Sequence, residues 1–123
     1  MADLEHVDSE LRAIMRPFAD RLEIVDDRAG YLSIETRHLQ KNDKRLWFGG
    51  VEIKKRYVSY HLMPVYLNPG LLAELSPALR ARMQGKSCFN FTTVDPALFG
   101  ELEELTRRGY EDYRRSGYVG TEE

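Results

Sequence analysis

The sequence predicts an α+β domain, an antiparallel-rich sheet of about five strands packed with an N-terminal helix, an inserted helix and a C-terminal helix. Three observations carry that expectation. Apolar residues recur every three or four positions near both ends, apolar and polar residues alternate through the middle, and Asn68-Pro69 and Asp95-Pro96 each read as a helix cap followed by proline at the first helical position.

Leu4, Val7, Leu11, Ile14 and Phe18 make one face of an amphipathic helix over about residues 3–16. Pro17 ends or kinks it, because proline lacks a backbone N–H and disfavours helical geometry at Arg16. Residues 22–27 and 31–38, separated by Arg28-Ala29-Gly30, form a hairpin in which Leu32 and Ile34 alternate with Ser33 and Glu35. After the polar break 41–45, the runs 46–53 and 57–66, divided by Lys54-Lys55-Arg56, give a second hairpin. Leu71, Leu72, Leu75, Leu79 and Met83 stripe the inserted helix, which Gly85 ends; Ser76-Pro77 repeats the start signal, so two short helices in sequence fit equally. A strand over 87–93 follows. In the last helix Leu98, Phe99, Leu102, Leu105, Tyr110 and Tyr113 share a face with Gly109, while Glu103–Arg107, Glu104–Arg108 and Glu111–Arg115 pair outside. Residues 1–116 are thus expected as one domain, and 117–123, which lack periodicity, as a flexible tail.

A chain of 123 residues with 42% hydrophobic and 31% charged positions has ordinary globular composition and enough length for one core. Its net charge of −2 supplies no basic field for a nucleic-acid backbone, so no nucleic-acid partner is expected. Cys88 stands alone, excluding an internal disulfide, and Met-Ala-Asp-Leu-Glu at the start has neither the basic segment nor the apolar run of a secretory signal. A cytoplasmic, reducing location is expected. No apolar run approaches the ~20 residues that cross a bilayer, so no membrane partner is expected. An exposed strand edge leaves both monomer and homodimer open.

Alternation sorts the strand side chains. Val51, Ile53, Val58, Tyr60, Leu62, Phe89 and Phe91 face the main core, which sends Phe48, Glu52, Lys54, Ser59, His61, Met63, Cys88 and Asn90 to the other face. A thiol, an imidazole, an ammonium and a carboxylate together suit a pocket for a small ligand, anions included, under the inserted helix. The expected ligand-binding set is Phe48, Lys54, Ser59, His61, Lys86, Cys88 and Asn90. The plainer reading leaves His61 and Lys54 in solvent and packs Cys88 as a small hydrophobe. Cys88 with His61 also has the composition of a nucleophile and its base, although no protease or transferase motif surrounds either. Gly85-Lys86-Ser87 is not a phosphate loop, since position 80 is Arg where that motif needs Gly and a strand rather than a helix follows.

On the first helix Asp3, His6 and Glu10 share a flank and form a candidate metal set for a hard or borderline ion such as Fe(II) or Mn(II), the alternative being a solvated face. Glu5 and Asp8 fall on the opposite flank with Arg12 and Arg16. Trp47, Phe48, Tyr57, Tyr60 and Tyr66 read as core aromatics.

At Phe48-Gly-Gly-Val51, Tyr57-Val-Ser-Tyr-His-Leu-Met-Pro-Val-Tyr66, Leu75-Ser-Pro-Ala-Leu79 and Gly85-Lys-Ser-Cys-Phe-Asn-Phe91 the chain resembles the YdhG-like bacterial domains of unknown function. The resemblance implies a small α+β fold grouped with frataxin-like proteins, and for one branch a frataxin-like handling of iron. It supplies no catalytic residues. Frataxins carry many carboxylates on the first helix and the neighbouring strand edge, a surface that Arg12, Arg16 and Arg28 interrupt here. The expected function is a small cytoplasmic domain that binds a small ligand or protein partner without chemistry or cofactor, the alternatives being a frataxin-like iron binder and a cysteine-dependent enzyme.

Overall fold

The computed structural model of the protein describes residues 3–119. Five strands, β1 (Glu23–Arg28), β2 (Tyr31–Leu39), β3 (Arg45–Ile53), β4 (Val58–Leu62) and β5 (Cys88–Phe91), lie in that order in one antiparallel sheet. The expected α+β architecture is therefore what the chain forms. Helices α1 (Leu4–Met15) and α4 (Pro96–Arg115) pack on each other, α1 lies across β3 and β4, and the short helices α2 (Met63–Leu67) and α3 (Pro77–Arg80) rest against α4 on the same side. Among the described residues no helix is long and apolar enough to cross a membrane.

The starts at Ser76 and Asp95 follow the caps read from the sequence, and Asp3 adds one that was not singled out there. Asp3, Ser76 and Asp95 each accept a backbone N–H from the first turn of α1, α3 and α4. After Met15 the chain tightens into a 3₁₀ turn, Arg16–Arg21, with Pro17 in its first turn, so proline ends α1 without reversing its direction. The inserted segment consists of separate short pieces, a 3₁₀ turn at Pro69–Leu72 and α3, as the repeated Ser76-Pro77 signal implied.

The core lies between the helices and one sheet face. Leu11, Met15, Leu32, Ile34, Val51, Val58, Tyr60, Leu62, Phe89, Leu102 and Leu105 are fully shielded from solvent. Tyr60 shares a hydrogen bond with Thr106 on α4 at 2.6 Å, and Thr106 donates to the Leu102 carbonyl at 2.8 Å. Both buried hydroxyls are thereby satisfied. A Cβ on Gly49 would collide with the His61 carbonyl oxygen of the neighbouring strand β4 and stand 2.8 Å from Met15 Cε of α1, which packs closely on β3. Glycine at this position is a packing requirement. α1 is also tied to β1: Arg12, braced within the helix by Asp8 at 3.0 Å, donates to Asp27 at 2.9 Å, and Arg16 donates to Asp27 at 3.0 Å. The Arg16 hydrogen bond, with help from Arg12, holds the Asp27 carboxyl below its ordinary pKa.

Four expectations need correction. The second half of the run 57–66 is not strand: Pro64 opens α2, and a proline in helix-start position ends the ladder where Leu62 leaves it. The outer pairs of α4 fall one residue short of the expected spacing, as Glu104–Arg107, Glu111–Arg114 and Asp112–Arg115, and Arg108, the expected partner of Glu104, turns inward to donate to the Leu71 carbonyl. The tail does not begin at Gly117. Left-handed Gly117 (φ 86°) redirects the chain, the Tyr118 ring packs 5.4 Å from Tyr113 and 4.8 Å from His38, and Val119 is buried. The rest of that expected tail, 120–123, lies outside the described residues. Finally, Trp47 and Tyr66 are not core; Tyr66 is 52% exposed on α2, and Trp47 lies half-buried on the far side of the sheet.

Candidate functional site: the uncovered sheet face

Strand register builds the far face in rows. Asp26, Ser33, Gly50, His61 and Cys88 are successive cross-strand partners from β1 to β5, and Arg28, Tyr31, Glu52, Ser59 and Asn90 form the row beside them. Among the described residues no helix lies over these side chains, since the packed helices sit on the opposite side.

The centre of the face is an aromatic pair. Between β2 and β3 the register slips, with Ile34 opposite Gly49 and Glu35 opposite Trp47, so Phe48 is the extra residue of a bulge. The slip sends Phe48 into the core, where it meets Tyr110 and Tyr113 edge-on at 6.2 and 5.8 Å. That overturns the placement of Phe48 in the ligand-binding set. Trp47 takes the outer position instead. Its indole lies across Gly50, where a Cβ would stand 3.1 Å from Trp47 Cζ2, and its N–H donates to Ser33 Oγ at 2.9 Å. The His61 ring sits 5.6 Å from the indole at 46°.

Beside this pair runs a hydrogen-bonded polar group. Ser59 donates to Asn90 Oδ1 at 2.7 Å, the Cys88 thiol donates to the same oxygen at 3.3 Å, and Asn90 Nδ2 donates to Gln84 Oε1 at 2.6 Å. Partial burial favours the neutral forms of both titratable groups, lowering the His61 pKa and raising that of Cys88. The thiol's hydrogen bond goes to Asn90 rather than His61, and a thiol held above its ordinary pKa is the opposite of an activated nucleophile.

Of the remaining candidates, Lys54 reaches the edge of the face and lies 3.2 Å from Glu52, an exposed pair. Lys86 does not join the set. It stands on the turn before β5, in a cleft beneath α2 and α3, so the expected pocket divides between two separate places. Asp3 spends one carboxylate oxygen on the His6 backbone N–H at 3.1 Å, and Glu10 borders a hollow with Ile14, Phe99 and Glu103. Among the described residues no group of three or more His, Cys, Asp or Glu side chains is placed to hold a metal ion, so Asp3, His6 and Glu10 are not brought together as a ligand set.

Trp47 is the member of the face that strict alternation placed on the wrong side, while Ser33 and the Arg28–Tyr31 pair, with its guanidinium 5.1 Å from the ring, join the face without having been singled out as site residues. The signal was in the sequence as Gly49-Gly50, since paired glycines within a strand mark a bulge or a close approach. Together fold and site define a two-layer α+β domain with one sheet face free. Compared with family models, curated proteins and solved structures, the chain finds no match.

Proposed function

We propose that this protein is a binding domain that performs no chemistry of its own and engages a protein partner across the uncovered sheet face. The observation that carries this reading is the Trp47–His61 pair, fixed over Gly50 by the Ser33 hydrogen bond and flanked by the Ser59–Cys88–Asn90 group. Pre-fixed rings lose little entropy on binding and offer a large contact area, which is why Trp is enriched among residues that dominate interface energies. The neutral bias of His61 and Cys88 speaks for recognition rather than acid–base or nucleophilic work.

The test compares the protein with its Trp47→Phe/His61→Gln variant in capture from the lysate of its own cells, followed by titration with the purified captured protein. Because Trp47 is the chain's one tryptophan, its emission reports directly on this face. A partner lost from the variant and shifting Trp47 emission supports the reading. A partner bound equally by both proteins, with emission unchanged, removes it.

A further inference from the structure

The cleft beneath α2 and α3 is a second site, independent of the sheet face, and we infer that it binds a small organic anion with an apolar body, such as an aryl or alkyl carboxylate. Its volume, about 540 Å³, falls within the range of small-molecule sites. Val65, Leu72 and Met83 give it apolar walls, and the exposed Tyr66 ring stands at the border. Arg80 and Lys86 supply its charged side chains, and no carboxylate lines it. Two cations without a counter-charge in a chain of net charge −2 are a local reversal of sign. The complementary ligand has one negative end and a hydrophobic remainder.

Both cations are held by ordered backbone. Arg80 donates to the Leu72 carbonyl at 2.5 Å, which leaves its other N–H groups for a ligand. Lys86 follows Gly85, whose φ of +79° needs glycine, on a turn closed by Gln84 N–H to the Cys88 carbonyl at 2.9 Å and Leu62 N–H to the Ser87 carbonyl at 2.9 Å. Among the described residues its ammonium has no ion-pair or hydrogen-bond partner. A flexible Met83 in the wall accommodates ligands of differing outline. Within the cleft the carboxylate sits between Lys86 and Arg80 and the apolar body lies along Val65, Leu72 and Met83.

The experiment titrates the whole ¹⁵N-labelled protein with 4-phenylbutyrate and, separately, with the uncharged 4-phenylbutanol, reading amide shifts. The expected result is saturable shifts at Val65, Leu72, Met83 and Lys86, none at Ser59, His61 or Cys88, and at least about five-fold weaker binding of the alcohol, the scale of one partly exposed charge-assisted bond. Lys86→Met should weaken phenylbutyrate to a similar degree without moving the melting temperature, because Lys86 makes no contact that the fold uses; Tyr66→Ala should weaken both probes alike. Equal affinity for acid and alcohol, or for the native and Lys86→Met proteins, overturns the anion assignment. Shifts confined to other regions, or no saturable shifts, overturn the site itself. Neither result bears on the sheet face, whose residues lie outside this cleft.

Discussion

On β4 the two sides of the sheet can be compared residue by residue. Val58, Tyr60 and Leu62 are fully buried under the helices, while Ser59, itself only 2% exposed among its neighbours, and the half-buried His61 point to the other face, which no helix of the described residues covers. On the covered side the buried hydroxyls are satisfied through the fold: Tyr60 bonds Thr106 on α4, and the Tyr113 hydroxyl donates to the Trp47 carbonyl at 2.8 Å. Burial raises the pKa of both phenols, so each stays a protonated donor through the neutral range. On the uncovered side, Ser59, Cys88, Asn90 and Gln84 bond mainly one another, and removing them would open no cavity beneath a helix. Residues of the first kind are explained by packing. Residues of the second kind are not required by the core, and that makes their grouping informative about function.

The largest expected effect is on the covered side. Phe48→Ala should destabilise the protein by about 3–5 kcal/mol in urea unfolding, since it empties a fully buried ring site between Tyr110 and Tyr113. A loss below about 1 kcal/mol would mean that Phe48 is not the inward residue of the bulge. Next, Gly49→Ala should cost about 1–3 kcal/mol, because the added methyl meets the His61 carbonyl and Met15. If its unfolding midpoint matched that of the native protein, α1 could not approach β3 as described.

Smaller effects belong to the uncovered side. His61→Gln should change stability by less than about 1 kcal/mol at pH 7.5, where the imidazole is neutral in both folded and unfolded chains. Its signature is in the pH dependence. The folded-state pKa is depressed by burial, with Glu52 opposing the shift and Lys54 reinforcing it, so the unfolded chain takes up the proton first as pH falls below the ordinary histidine value of about 6.5. The stability this neutral imidazole contributes is complete above that value and is lost as pH falls through the folded pKa. Melting temperatures between pH 7.5 and 5 should therefore decline less steeply in His61→Gln; parallel curves would contradict the placement of His61. Least visible of all, Cys88 should react with iodoacetamide at pH 7 more slowly than free cysteine, as expected of a thiol with a raised pKa. Faster alkylation, followed by mass spectrometry, would revive a cysteine-based chemistry.

The sequence made the regular parts legible. Caps at Ser76 and Asp95 and the hairpins follow from short-range patterns, as does the face shared by Ser59, His61, Cys88 and Asn90, because β4 and β5 pair without a register slip. Alternation failed at Phe48 because it assumes an unbroken ladder, and one extra residue exchanges the sides of Trp47 and Phe48. Met63–Leu67 was misread for another reason: its apolar run looked like a continuation of the strand, and the signal against it was Pro64, which cannot donate to a ladder and sits at the helix start that packs on α4. Lys86 was grouped with Cys88 and Asn90, its neighbours in sequence, whereas the left-handed turn at Gly85 carries it to the helix side.

The most direct measurement takes a single variant, Trp47→Phe/His61→Gln, and determines its unfolding free energy and its capture of partner protein side by side with the native chain. The account predicts a stability within about 1–2 kcal/mol of native, the loss of the Ser33 hydrogen bond being the main contribution, together with loss of the captured partner. A variant that unfolds several kcal/mol more easily yet still captures the same partner would show the opposite division, with Trp47 and His61 serving the fold and the binding surface lying elsewhere.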